Sequence, residues 1–183
     1  MASNTEMSKR LLAVTPLSGY EPEIGRWLWA LEEVRGRLKR DLLDISPSVI
    51  DWATPHRVNS IGTLLYHIAV TEIDWLYEVV QTFRPAAIQS MLPWPARTKE
   101  GTLTPVIGTS MNEHIQRLEL TRSHLLEHFR VMDLKEFRRK YVRADYDITP
   151  EWVLCHIIDH EARHWGQILA LKSEAKRTGV NTA

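Results

Sequence analysis

Residues 152–171 read WVLCHIIDHEARHWGQILAL and set three histidines along one side of a predicted helix. At about 100° per residue, His156, His160 and His164 fall within an arc of about 80° that also contains apolar positions. We therefore expect the three imidazoles to face the interior of the protein. Cys155 points about 140° away from His160 on the same wheel. We expect a small buried apolar side chain there rather than a metal ligand.

Three other segments have the apolar spacing of amphipathic helices, and each begins with a capping residue or a proline. The segment between two of them, residues 83–108, contains four prolines and two glycines, which exclude a continuous helix and suggest a lid. We find no convincing alternating strand pattern, so the sequence predicts an all-α bundle. The four predicted helices cover about residues 22–43, 59–82, 110–130 and 149–176.

Bulk composition limits the classes of function. The 183 residues suit one domain spanning residues 1–183, with residues 1–10 disordered. Lys plus Arg equals Asp plus Glu at 23 each, so no overall field favours nucleic acid or a membrane as a partner. A single cysteine, no signal sequence and no long apolar run lead us to expect a cytoplasmic protein.

The pair His160 and His164 has metal-ligand spacing, because two imidazoles at i and i+4 on a helix present their nitrogens to one point. The run from His160 to His164 also matches HExxH, which in a zinc protease makes Glu161 the general base. A protease is disfavoured, since only nineteen residues follow His164 and no strand is evident to bind an extended peptide. A third ligand from a facing helix is required. His67, midway along the second predicted helix and at the margin of its apolar stripe, is the best candidate.

Two segments resemble the DinB-like superfamily, which includes YfiT-like metal-dependent hydrolases and bacillithiol or mycothiol S-transferases. They are SIGTLLYHIAVTEIDWL at residues 60–76 and TPEWVLCHIIDHEARHWGQILALK at residues 149–172. The resemblance implies a four-helix bundle with long crossover connections and frequent dimerisation. It also implies that one divalent metal ion, usually zinc or nickel, is bound by His67, His160 and His164.

The roles of several residues around this ligand set remain open. Trp165 stands where many relatives have an arginine, which puts any anion-binding role of that arginine in doubt. His156 has the same spacing to His160 as His164 does, so it could replace one ligand of the pair. Metal-bound imidazoles usually donate their second N–H to an oxygen. The expected partners of the ligand histidines are Asp74, Glu78 and Gln167.

The resemblance leads to a functional hypothesis, a metal-dependent S-transferase that activates a low-molecular-weight thiol towards an electrophilic small molecule. One alternative is a hydrolase that uses metal-bound water, with Glu161 as its base. Another is a non-catalytic, stress-related binding protein in which the metal only stabilises the helical bundle. We expect small-molecule substrates and a homodimer, without nucleic acid or membrane partners.

Overall fold

The computed structural model describes residues 11–54, 56, 58–80 and 83–180. The disorder predicted for residues 1–10 and the helix end predicted at Thr82 lie outside these ranges. Secondary structure in the described chain is mostly helical. The helices are α1 Pro22–Leu42, α2 Pro47–Ile50, α3 Ile61–Val79, α4 Ala86–Met91, α5 Met111–Arg130, α6 Leu134–Phe137 and α7 Pro150–Arg177, and the strands are β1 Tyr141–Val142 and β2 Asp147–Ile148.

Side-chain caps fix the starts of the long helices where the sequence predicts them. The Ser60 hydroxyl accepts a hydrogen bond from the Thr63 backbone N–H at the start of α3. Ser110 and Glu113 form the predicted capping box of α5. The Thr149 hydroxyl caps α7. Each cap satisfies a backbone N–H that the first turn of a helix leaves without a partner.

The four long helices form an all-α four-helix bundle with long crossover connections. Helix α3 packs against both α5 and α7, and α7 also packs against α1. One connection carries α6 and a short antiparallel hairpin in which Tyr141 pairs with Ile148. Sequence periodicity missed this hairpin because two residues per strand are too few to show an alternating pattern. No helix in the described ranges is long and apolar enough to cross a membrane.

A buried quartet of charges joins the four long helices at the centre of the bundle. It alternates in sign, with Arg35 from α1, Glu72 from α3, Arg122 from α5 and Glu161 from α7. The four nitrogen–oxygen contacts range from 2.5 to 3.0 Å, and each side chain is at most 5% exposed. Because each charge faces two of opposite sign, the burial of four ions is compensated.

The long connection before α5 lies against α3. The Tyr66 hydroxyl donates to the Trp94 carbonyl at 2.7 Å, and the Val106 N–H donates to the Thr63 hydroxyl at 3.2 Å. These bonds hold Trp94 and Val106 against the N-terminal half of α3. Opening of this segment as a lid stays a prediction.

Candidate metal centre

The structure brings together the three histidines that the sequence singles out. His67 comes from α3, and His160 and His164 come from successive turns of α7. The His160 Nε2 atom lies 3.1 Å from His67 Nε2 and 3.1 Å from His164 Nε2. Within the described residues, only this group of histidine, cysteine and acidic side chains has three or more ligand atoms within 4.8 Å of one another.

Hydrogen bonds on the far side of two rings aim their Nε2 atoms at the shared point. The His164 Nδ1 atom lies 2.9 Å from the Gln167 side-chain oxygen, as the sequence predicts. Since that oxygen can only accept, the His164 proton is on Nδ1 and the Nε2 lone pair is free. The His67 ring is held by a contact of 3.4 Å to the Thr71 hydroxyl and by a hydrogen bond to the Ala96 backbone. Such contacts orient metal-bound imidazoles in proteins.

Protonation is disfavoured at all three histidines. Burial is the main cause, and it lowers the pKa of His67 to about 4 and that of His160 to about 3. Burial also lowers the pKa of His164. The positive charge of Arg97 lowers the pKa of all three further. The rings are therefore neutral near neutral pH, which is the form that binds metal.

The spacing of the nitrogens fits a metal ion. Two imidazole nitrogens bound to zinc at about 2.0–2.1 Å with a tetrahedral angle are about 3.3 Å apart, close to the observed contacts. Hydrogen bonds alone do not satisfy this arrangement, because a single Nε2–H on His160 cannot donate to both neighbours with good geometry. The three histidines could therefore hold a divalent first-row ion. Imidazole ligands do not choose among zinc, nickel and their neighbours.

A cavity of about 410 Å³ opens beside His67 and His160. Its lining includes Asp74, Trp75, Arg97 and Tyr146. None of these was predicted from the sequence as a cavity residue, although Asp74 was expected as a partner of a ligand histidine. Arg97 and Tyr146 lie in connecting segments without a helical pattern, so no periodicity marks them.

Asp74 and Glu78 line the same cavity but do not support His67, contrary to prediction. Arg84 donates to Asp74 at 2.6 Å, and Arg143 donates to Glu78 at 2.9 Å. Arginines from connecting segments could not be foreseen from the spacing along α3. Thr71, one turn from His67, takes the role predicted for the carboxylates.

His156 also lines the cavity, but the structure does not bring it into the three-nitrogen group. Its ring stacks on Trp152 with centroids 4.8 Å apart and planes at 9°, and Trp75 meets it edge-on at 4.7 Å. The exchange of His156 for a ligand of the pair is therefore not supported by the geometry. His156 therefore forms an aromatic cluster with Trp75 and Trp152.

Glu161 lies outside the candidate centre. Its side chain is fully buried and accepts from Arg35 and Arg122 in the central charge quartet. Both carboxylate oxygens are engaged by guanidinium groups, so neither faces the cavity. The interpretation of Glu161 as a general base therefore lacks the geometry that it needs.

Cys155 and Trp165 are two further positions of α7 that the sequence singles out. Cys155 is exposed, so the prediction of a buried apolar side chain is wrong. Trp165 donates from its indole nitrogen to Asp41 on α1 at 2.8 Å. Position 165 thus faces α1, and the absence of arginine there removes no group from the cavity.

Comparison with known proteins agrees with this site. A profile of the DinB superfamily matches residues 30–168, which include all three histidines. No curated protein matches the chain. The match covers most of the sequence and all four long helices in whole or in large part. The chain belongs to the DinB superfamily.

Proposed function

We propose that this protein is a metal-dependent S-transferase that activates a low-molecular-weight thiol for attack on an electrophilic small molecule. The observation that carries the proposal is the convergence of three neutral imidazole nitrogens at the edge of an open cavity. Three protein ligands leave a position for a small molecule in a four-coordinate site. The cavity volume suits a small substrate rather than a polymer.

A divalent ion, when bound, supplies a positive charge that lowers the pKa of a thiol beside it. His67, His160 and His164 are uncharged ligands and therefore leave that charge undiminished. In the reaction the thiol sulfur forms a bond to an electrophilic carbon of the second substrate. The bond from that carbon to its leaving group breaks with its electron pair, and the thiol proton passes to solvent.

The lining of the cavity favours a particular shape of substrate. Trp75 and Tyr146 offer aromatic faces, with ring centroids 6.2 Å apart. Arg97 lies at the mouth, where its charge acts on all three histidines. It has no carboxylate partner among the described residues. A thiol or electrophile with an apolar body and an anionic group near its reactive end matches this arrangement.

The position of Glu161 favours a transferase over a hydrolase. A thiol near such an ion is acidic enough to ionise without a protein base, whereas hydrolysis in HExxH enzymes relies on the glutamate of the motif. Here that glutamate is held by two arginines in the core. The hydrolase therefore stands as the second candidate.

A basic run at residues 138–143 does not change the choice of partner class. Each cation in it is paired with an acidic side chain of the same chain, so little positive charge remains for nucleic acid. The pairs are Arg138–Glu23, Arg139–Glu136, Lys140–Asp147 and Arg143–Glu78. Small molecules remain the proposed substrates.

The test uses untagged protein loaded with zinc, an activated aryl halide, and 2-mercaptoethanol present or absent. We expect consumption of the halide only with the thiol, formation of the thioether, and loss of both after chelation. His160→Ala should lose the activity together with the metal.

Each other outcome selects a different function. Consumption of the halide without thiol would favour hydrolysis. No reaction in either case, with a large fall in melting temperature on chelation, would favour a structural metal.

A further inference from the structure

A second histidine pair with the same spacing lies on α5. His124 and His128 have ring centroids 4.5 Å apart and planes at 66°. The corresponding values for His160 and His164 are 4.4 Å and 73°. The two pairs therefore share nearly the same ring spacing and tilt.

Helix α3 supplies a third polar group to this pair as well. The Tyr77 hydroxyl lies 2.8 Å from His124 Nε2, and the two rings are nearly parallel at 12°. An oxygen and a nitrogen bound to one ion at about 2.0 Å with an angle near 90° are also about 2.8 Å apart. An ion could therefore take the place of the hydroxyl proton without a large movement of either side chain.

A hydrogen bond to the backbone decides which nitrogen of His128 can bind an ion. The His128 Nδ1 atom donates to the His124 backbone carbonyl at 2.8 Å, which leaves Nε2 of His128 as its free lone pair. Burial is the main cause that lowers the pKa of His124, so this ring is neutral near neutral pH. Glu127 adds a negative charge close to His124.

We propose that Tyr77, His124 and His128 form a second metal site, which takes a copper(II)-type ion with tetragonal nitrogen and oxygen coordination. Two imidazoles and a phenolate are donors that suit copper(II), and copper(II) binds such ligands more tightly than the other common divalent ions do. One proton, that of the tyrosine hydroxyl, leaves for each ion bound. This site is independent of the proposed transferase activity.

The test is a titration of the untagged His160→Ala variant with copper(II), followed by visible absorption and electron paramagnetic resonance. The variant weakens the first centre, and a phenolate-to-copper band then reports the second site. We expect one equivalent of copper to develop this band. Tyr77→Phe in the same background should remove the band, and His128→Ala should weaken copper binding at least as much as the roughly 10–100-fold lost with a ligand's supporting partner.

Two variants serve as matched controls. Tyr146→Phe removes the tyrosine that lines the first cavity, and His56→Ala removes an exposed histidine outside both groups. Both should leave the band unchanged. A band that survives in Tyr77→Phe, or that never forms although circular dichroism shows an intact helical fold, would overturn the site. Wild-type protein with two equivalents of copper provides a second measurement. It should give two electron paramagnetic resonance signals, and one of them should be absent in His128→Ala.

Discussion

The histidine pairs of α7 and α5 have almost the same ring geometry, yet they belong to different sites. The α7 pair meets His67, which is 5% exposed, and borders a cavity. The α5 pair meets Tyr77, whose hydroxyl contacts one of its rings. The i,i+4 spacing on a helix places the two rings of each pair side by side. The residue that α3 contributes decides what each pair can bind. Helix α3 can serve both pairs because it packs against both helices.

The same comparison explains the glutamate of HExxH. The residue after the first histidine is Glu161 in α7 and Leu125 in α5, and both side chains are 0% exposed. This position faces the core in both helices. In α7 the core offers Arg35 and Arg122, so a carboxylate can be buried there. The glutamate therefore belongs to the packing of the bundle rather than to the metal centre.

The largest expected effect comes from breaking the charge quartet. Glu161→Ala leaves Arg35 and Arg122 each without one carboxylate partner, and removal of one partner of a buried ion pair costs about 3–5 kcal/mol. We expect a loss of this size in the free energy of unfolding, measured by urea denaturation. Zinc stoichiometry of the folded protein should stay unchanged.

Leu125→Ala is the matched change on α5, where a buried leucine typically contributes about 2–5 kcal/mol through packing. It should destabilise the protein without changing the salt dependence of unfolding. If Glu161→Ala instead lost zinc and kept its stability, Glu161 would have to be assigned to the metal centre.

The next largest effect is on zinc affinity, and it distinguishes the two sites by the residue that α3 contributes to each. His67→Ala should lower zinc affinity at the first centre by roughly 100-fold or more, since it removes a ligand rather than the partner of one. Competition with a chromophoric chelator measures the change. The copper band of Tyr77 should persist in this variant.

His156→Ala is the control for that experiment. It lines the same cavity and stacks on Trp152, but its nitrogens lie outside the three-nitrogen group. Zinc affinity should stay close to that of the wild type. A loss similar to that of His67→Ala would show that His156 is a ligand after all.

A third histidine of α5, His114, lies outside both proposed metal sites and shows how burial changes the pKa of an imidazole. His114 is 0% exposed, and neither ring nitrogen has a hydrogen-bond partner among the residues that the structure describes. Burial, helped by the charge of Arg117, lowers its pKa from 6.5 to about 4, against the opposing effect of Asp51 and Glu113. The unfolded chain takes up the proton first as pH falls. Stability from this group is therefore complete above the unfolded pKa and is lost on acidification towards the folded one.

His114→Gln should flatten this acid-side loss. A tenfold change in proton affinity between the folded and unfolded chain corresponds to about 1.4 kcal/mol, so the difference between variant and wild type should reach at most about 3.5 kcal/mol at the acid end. Urea unfolding of metal-free protein across this pH range measures it. Parallel pH profiles for the two proteins would contradict the assignment.

Much of the fold could be predicted because the signals are local. The caps at Ser60, Ser110 and Thr149 depend on residues within one turn, and they lie where the sequence places them. The ligand set could be predicted as far as His160 and His164 by spacing, while His67 depended on the expectation that a facing helix completes the site. Gln167 followed from the same turn of helix.

The failures arise where the answer depends on a neighbouring helix. A helical wheel gives the angle of Cys155 relative to His160, but it does not say whether that direction meets solvent or protein. For Glu161 the wheel gives a direction near His164, but α7 packs against both α1 and α3, and Glu161 faces the charges between them. Arg97 lies in a connecting segment, whose path over the cavity has no periodic signature.

The smallest expected effect concerns Arg97, the exposed cation at the mouth of the first cavity. Arg97→Gln should reduce the preference of cobalt-loaded protein for 3-mercaptopropionate over its neutral amide by about 1.4- to 5-fold, because exposed charge pairs contribute about 0.2–1 kcal/mol. The thiolate-to-cobalt absorption band measures both affinities. Lys99→Gln removes a charge from the same segment outside the cavity lining and should leave the preference unchanged. The preference should also shrink as salt is added, since screening weakens exposed charges. A preference that is equal in wild type and Arg97→Gln would show that the guanidinium does not select the substrate, whereas absence of the band with either thiol would instead count against thiol activation itself.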